Sequence, residues 1–239
     1  MGYETYDNNR STRIFELIES HDKIDFETFK KIKNDRTFPT PLNYNYIDVN
    51  NIFEMNPDNF PEISDLLESI QSWNRNADAD SYGAGTYAMF YYESSKYYKP
   101  YINKKFTKQL IADILFEVKK KMIKHFKSNK VKLGDYQKLV RGKKELPIFG
   151  LPDVITAMRG VKHKDGKIKI SHGESYVGLV RFTKDGPQYE SISPYGSSDN
   201  PRSPHYNDQM EMLSKFKTKK MTFEKKEIYK NSKIIYNPK

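Results

Sequence analysis

The sequence predicts an α+β fold, with a helical N-terminal half followed by antiparallel strands and terminal helices. Three observations predict it. Through the first 132 residues apolar side chains recur at helical spacing, and beyond Lys132 they give way to short, partly alternating segments rich in Val, Ile and aromatics. The chain of 239 residues also carries 14 Phe, 18 Tyr and one Trp, enough large side chains for a core. A chain of this length buries roughly 70–75% of its unfolded surface without staples. The hydrophobic share of 36%, the charged share of 30% and the mean hydropathy of −0.85 therefore assign the polarity to surfaces, not to disorder.

Taken in order, Ile14, Leu17 and Ile18 follow Ser11 and Thr12, either of which can cap a first helix, and Phe26, Phe29 and Ile32 repeat the pattern. Pro39 and Pro41 make 37–45 a loop. Helical periodicity resumes over Ile47 to Met55 and over Pro61 to Trp73, where Pro61 suits a first turn because its missing N–H costs nothing there. Tyr82 to Tyr98 and Phe106 to Phe126 are the two longest predicted helices. In the second, Leu110, Ile111, Ile114, Leu115, Val118, Met122 and Ile123 form one stripe opposite a run of lysines. Strands are predicted at Tyr136 to Val140, Val154 to Met158, Lys167 to Ile170, Tyr176 to Phe182 and Gln188 to Ile192. Hairpins are expected about Asp165-Gly166 and Asp185-Gly186, whose glycines tolerate positive φ. The tail returns to helix at Asp208 to Phe216 and Phe223 to Asn231 and ends on a strand-like Lys233 to Tyr236. The one candidate boundary, near Asn129 to Leu133, divides a mainly helical region, 1–132, from a β-rich region with C-terminal helices, 133–239.

With zero cysteines, disulfides, thiolate nucleophiles, Cys-ligated zinc and iron–sulfur clusters are excluded, while the compartment stays open. The formal charge of +10 invites a nucleic-acid reading. The excess is nearly all Lys, in 119–132, 162–169 and 215–220, and Lys suits solvated faces where bidentate recognition of phosphate or bases favours Arg. A basic α+β module that binds nucleic acid is thus the alternative, not the leading reading. No stretch approaches the ~18 apolar residues of a membrane span, and Met1-Gly2-Tyr3-Glu4 begins no signal peptide.

His21, His125, His163, His172 and His205 show no metal-ligand spacing, so no metal and no cofactor is expected. Ser175, in Gly173-Glu174-Ser175-Tyr176-Val177-Gly178, is one residue off a nucleophile elbow and enters a strand, so it is rejected as a nucleophile. Asp78 and Asp80 are read as helix caps rather than an acid–base pair. Gly83 and Gly85 lack the preceding strand and the Lys-Ser/Thr pair of a phosphate cradle, and are read as a close helix approach. Tyr91, Tyr92, Tyr97, Tyr98 and Tyr101 are read as packing rather than a base-stacking platform.

The most unusual stretch runs from Ser193 to Gln209, with three prolines and a His-Tyr-x-Asp-Gln that leads into a helix. It resembles the C-terminal signature of the penicillin acylase (penicillin amidase) family, S-P-H-Y-x-D-Q after a Gly-containing turn. The matching residues are Gly196, Ser198, Ser203, Pro204, His205, Tyr206, Asp208 and Gln209. Other matches follow the same order along the chain. Arg10-Ser11-Thr12-Arg13-Ile14 resembles an R-x-x-R-I helix start, and Trp73-Asn74 with Asp78, Asp80, Ser81, Gly83 and Ala84 resembles W-[DN]…D-S-x-G-A. Leu133-Gly134 through Leu146-Pro147-Ile148-Phe149-Gly150 resembles a strand and Leu-Pro-x-x-Gly turn. The sequence departs at Gln137, where relatives often show His, and at Val177, where they often show Arg.

The resemblance implies an N-terminal-nucleophile hydrolase of αββα architecture that cleaves amides such as penicillins or acyl-homoserine lactones. Its precursor cuts itself, and the new N-terminal Ser attacks with its own α-amine as base. On that resemblance this chain is the C-terminal part of the large chain, both regions belong to one larger catalytic fold, and the nucleophile and the oxyanion Asn lie upstream. No catalytic residue is then expected here. Arg10 matches the arginine that holds the oxyanion Asn, and Trp73, Asp80, Ser81 and the 196–209 residues are structural. The expected partners are the remainder of the acylase or a second copy, with a small amide substrate in the complete enzyme, no nucleic acid and no membrane. The location implied is periplasmic.

Overall fold

Ser81 and the small residues after it begin helix α4 (Tyr82–Ser94), whose residues from Gly83 through Phe90 are all buried. A helix covered on every side must lie inside a larger body. The computed structural model describes residues 6–98 and 104–232. The chain divides into two compact units, Met1–Gly173 and Glu174–Lys239.

The first unit contains helices α1 (Asn9–Glu19) and α2 (Phe26–Lys33), a short β1 (Ile47–Asp48), three 3-10 turns between residues 50 and 63, and α3 (Ser64–Gln71). After α4 come β2 (Lys104–Lys105), α5 (Lys108–Phe126) and α6 (Leu133–Tyr136), then β3 (Gln137–Arg141), β4 (Lys144–Pro147), β5 (Arg159–Lys162) and β6 (Ile168–His172). The last four strands form one sheet in the order β4-β3-β6-β5, with β3 parallel to β6 and the other pairs antiparallel. One cluster joins helices to sheet: Leu66, Leu67 and Ile70 of α3, Tyr87 and Phe90 of α4, Ile111, Ile114, Leu115, Val118 and Met122 of α5, and Leu133, Tyr136, Leu151, Val154 and Ile168 beyond it. The predicted seam at 129–133 lies inside this unit.

Close packing explains the glycines of α4. A Cβ at Gly83 would stand 2.4 Å from the Cβ of Trp73, and one at Gly85 only 2.0 Å from the carbonyl oxygen of Val131. The approach is fixed by hydrogen bonds, because the Leu133 N–H donates to the Ser81 carbonyl (3.0 Å) and the Gly134 N–H to that of Ala79 (2.6 Å). Between α4 and α5 the carboxylate of Glu93, 7% exposed, accepts from both Lys96 and Lys121. Burial pushes the Glu93 carboxyl up, but those two hydrogen bonds outweigh it and hold the pKa below its ordinary 4.5.

The second unit is an antiparallel sheet of β7 (Val177–Thr183), β8 (Gly186–Ile192) and β9 (Lys219–Met221), in that order, with α7 (Met210–Ser214) and α8 (Lys225–Asn231). Leu179, Ile192, Met210 and Leu213 are its buried apolar residues. Both predicted hairpins form: β5–β6 turns through Asp165 (φ 55°) and Gly166 (φ 72°), and β7–β8 through Gly186 (φ 106°).

Several expectations are corrected. Val154 to Met158 is no strand: Val154 and Met158 are buried from a turn-rich loop, where burial mimics the strand pattern. Ile47 to Met55 is not an α-helix but the short β1, paired parallel with β2, followed by a 3-10 turn at Asn50–Phe53. Not all strand pairs are antiparallel, since β3 and β6 run parallel. The first helix is capped by Asn8 rather than Ser11 or Thr12: the Ser11 N–H donates to Asn8 Oδ1 (3.0 Å) and the Asn8 N–H returns to Ser11 Oγ (2.9 Å). The strands β4 and β9 are short additions, and Lys233 to Tyr236 lies outside the described residues.

Two predictions follow from this packing. Gly85→Ala drives a methyl group into backbone and should cost about 1–3 kcal/mol, read as a lower urea midpoint at unchanged slope. A carboxyl whose folded pKa is depressed contributes stability that is complete above its ordinary value and is lost as pH falls through the depressed one. Glu93→Gln should therefore lower stability at pH 7 and flatten the loss of stability expected of the wild type below about pH 4.5, both read from urea midpoints across pH.

Candidate functional site

The chemistry-bearing residue singled out by motif, Arg10, stands in the first turn of α1 and is exposed. Its neighbours are not. Asn9 is fully buried, and it is the only buried residue of α1. Its side-chain Nδ2 donates to Asp153 Oδ2 (2.8 Å), its backbone N–H reaches the same oxygen (3.3 Å), and its Oδ1 accepts from the Asn43 N–H (2.6 Å). One turn on, Arg13 grips Asp35 through Nε to Oδ1 (3.3 Å) and Nη2 to Oδ2 (3.2 Å). Burial pushes the Arg13 guanidinium down, yet its hydrogen bonds to Asp35 and Glu16 raise it above its ordinary value, so it stays charged.

The loop that carries Asp153 is itself fixed. The side chain of Gln137, fully buried at the start of β3, donates to the carbonyls of Gly150 (2.8 Å) and Phe149 (3.2 Å). Gly150 sits at φ 82°, where a Cβ would come within 2.4 Å of the Thr156 carbonyl oxygen, so the last position of the Leu-Pro-x-x-Gly turn admits only glycine. Thr156 then ties the loop to the Arg13 partner, with its N–H (3.0 Å) and its hydroxyl (2.8 Å) both donating to the Asp35 carbonyl.

In the 73–85 motif Trp73 packs and Ser81 caps. Trp73 Nε1 donates to the Asn76 carbonyl (2.8 Å) and its ring packs on Tyr87 at 5.1 Å. Ser81 caps α4 by accepting from the Ala84 N–H (3.1 Å). The cap is therefore Ser81, not the aspartates: Asp80 is exposed, and Asp78 forms an ion pair with Arg36. The tyrosines pack as expected, Tyr92 and Tyr98 against the core and Tyr91 edge-on to both, while Tyr101 lies outside the described residues.

In the second unit the 193–209 segment folds into a clasp. The Ser198 N–H donates to the His205 carbonyl (3.2 Å), the Gln209 N–H to that of Tyr195 (3.1 Å), and the buried Gln209 side chain accepts from the Ser193 N–H (2.9 Å). Ser203 Oγ accepts from the His205 N–H (3.1 Å) and the Ser203 carbonyl from the Tyr206 N–H (3.1 Å). His205 Nδ1 meets Asp208 Oδ2 at 2.9 Å, and Pro204 is exposed at the tip. A Cβ at Gly196 would lie 2.1 Å from the His205 carbonyl oxygen. Gly196, Ser198, Ser203, His205, Tyr206, Asp208 and Gln209 thus all take part in contacts within this one loop.

Asn9, Asp153 and Gln137 are the residues that sequence reasoning missed. Asn9 and Asp153 are 144 positions apart, so no local pattern joins them. Gln137 stood out only as a departure from the family pattern. Among the described residues no group of three or more His, Asp or Glu side chains could hold a metal ion.

The model of the penicillin amidase family matches residues 1–230. The acyl-homoserine lactone acylase PvdQ of Pseudomonas syringae pv. syringae (strain B728a) is 36% identical over 100 residues, which cover 41% of this chain and 13% of that protein. The acyl-homoserine lactone acylase PvdQ of Pseudomonas fluorescens (strain Pf0-1) is 30% identical over 104 residues, 42% of this chain and again 13% of the relative. A thermostable penicillin G acylase from Alcaligenes faecalis aligns with 99% of this chain and 54% of its own, at 12% identity and a TM-score of 0.45. The matched stretch therefore spans only a small part of the curated relatives. Because the family match runs through almost the whole length, this chain belongs to the penicillin amidase family.

Proposed function

We propose that the chain is a C-terminal segment of a penicillin acylase-type amide hydrolase, which braces catalytic groups supplied by parts of the enzyme beyond these 239 residues. The observation that carries this reading is the family match over residues 1–230 beside relatives of which only 13% is spanned. The relatives are acyl-homoserine lactone acylases by name, so a linear acyl amide is the proposed substrate class. In this reading the chain is part of an enzyme of αββα architecture, an N-terminal Ser generated by self-cleavage attacks the acyl carbon, and the parent works in the periplasm. Among the described residues no helix is long and apolar enough to cross a membrane.

The surface supports a partner. Helices α1 and α2 bury no apolar side chain, leaving Phe15 57% and Phe29 44% exposed. In the second unit Phe182 is 85% and Phe223 66% exposed. Isolated apolar residues are ordinary on a surface, but amphipathic helices without a covered face need one. The remainder of the acylase is the occupant we favour, with a second copy as the alternative. The nucleic-acid reading loses ground because the first three lysines of the 119–132 run are engaged: Lys119 pairs with Asp65, Lys120 with Glu117 and Lys121 with Glu93.

Arg10 is proposed to face the oxyanion machinery. Positive charge in the first turn opposes the helix dipole, so this residue does nothing for α1 itself. A guanidinium that orients the oxyanion amide makes a charge-assisted hydrogen bond of about 1.5–3 kcal/mol. In the complete enzyme, obtained by co-expressing this chain with the complementary part of a relative, Arg10→Ala should lower kcat about 10- to 100-fold, by that bond energy, with a smaller change in KM. Release of the acyl group from an acyl-homoserine lactone and from penicillin G is the assay. Turnover by the chain alone at the rate of the complemented enzyme would refute the segment reading.

A further inference from the structure

The start of α1 is seated in a way that helix formation does not require. Its first turn holds no acidic residue, and its one buried side chain is the amide of Asn9. A buried amide must find partners. Asp153 Oδ2 takes both the side-chain Nδ2 (2.8 Å) and the backbone N–H (3.3 Å) of Asn9, so a carboxylate 144 residues away occupies the place that a first-turn acid of the helix would fill. Asp153 itself sits at φ 69°, in the left-handed region that few residues besides Gly, Asn and Asp adopt, and its surroundings fix it there. Leu151 and Val154 on either side are buried, and Gln137 holds the carbonyls just before them.

The residue between the two pins is bare. Arg10 lies between Asn9, fixed on Asp153, and Arg13, fixed on Asp35, and among the described residues no hydrogen bond or ion pair holds its guanidinium. Both pins meet in one support, since Thr156 of the Asp153 loop donates twice to the Asp35 carbonyl. A backbone held at residues 9 and 13 leaves residue 10 a narrow range of directions.

We infer that Asp153, acting through Asn9, is a positioning residue that aims the Arg10 guanidinium at a group contributed from outside the described residues. The inference rests on the reading of Arg10 given above. It assigns no contact between Asp153 and substrate, and it predicts an effect on turnover that passes through Arg10.

The test uses the complemented enzyme and five variants, Arg10→Ala among them. Asn9→Asp sets two carboxylates against each other and should lower kcat about tenfold, with KM within about twofold; Asp153→Asn keeps an acceptor oxygen and should lose less. The exchange Asn9→Asp with Asp153→Asn returns a donor opposite an acceptor and should restore most of the turnover. Added to Arg10→Ala, Asn9→Asp should slow the enzyme no further, which a purely structural role would not produce. If Asn9→Asp does not fold, Asp153→Asn and the exchanged pair carry the comparison. An impaired Arg10→Ala beside Asn9→Asp and Asp153→Asn at full turnover would overturn the inference alone. Additive loss in the combined variant would do the same. Full turnover in Arg10→Ala would remove the reading beneath it.

Discussion

The contact on which the rest of the first unit depends is the approach of α4 to the chain at 131–134. Gly85 brings the helix so near that no Cβ fits against Val131, and two backbone hydrogen bonds, into Ser81 and Ala79, lock the distance. Everything on either side follows from it. Trp73 and α3 close over one flank of α4, α5 over another, and β3 begins immediately after α6, so the sheet starts from a point already fixed to the helical core. Hydrophobic burial supplies the bulk of the free energy in such a body, but it does not by itself choose a register. The glycines do, because they admit one close approach and exclude others.

Polar groups fix the second level of detail. Glu93 between two lysines, Gln137 under three successive carbonyls and Asn9 on Asp153 are buried or nearly buried hydrogen-bonding groups, each joining separate elements. Such groups are costly to leave unmatched, so a wrong arrangement is penalised more than the right one is rewarded. They define where α1 and the 150–158 loop lie relative to the core of their unit, where apolar packing alone would tolerate sliding.

Much of this was legible in the sequence where the signal is local. The stripe of α5 from Ile111 to Met122, the hairpins at Asp165-Gly166 and Asp185-Gly186, and the close approach of Gly83 and Gly85 all formed as their residues suggest. Motif resemblance pointed to the family whose model matches residues 1–230, and the 193–209 segment that carried it folds into a clasp. The failures share one cause. Val154 to Met158 looks like a strand because a buried loop needs the same apolar residues, and Ile47 to Met55 looks like a helix because its side chains face a core from a 3-10 turn. Parallel pairing of β3 with β6, and the bond from Asn9 to Asp153, depend on residues tens to more than a hundred positions apart, and no window along the chain contains both partners.

One consequence lies in the length of a single side chain. Because the Gln137 amide spans from β3 to the carbonyls at 149 and 150, its reach sets the height of the following loop above the sheet. Exchange for an amide one methylene shorter would let the loop settle toward the strand, carrying its carboxylate away from the first helix. The seat of the first helix in this unit thus depends in part on a side chain that touches neither that helix nor the carboxylate it rests on.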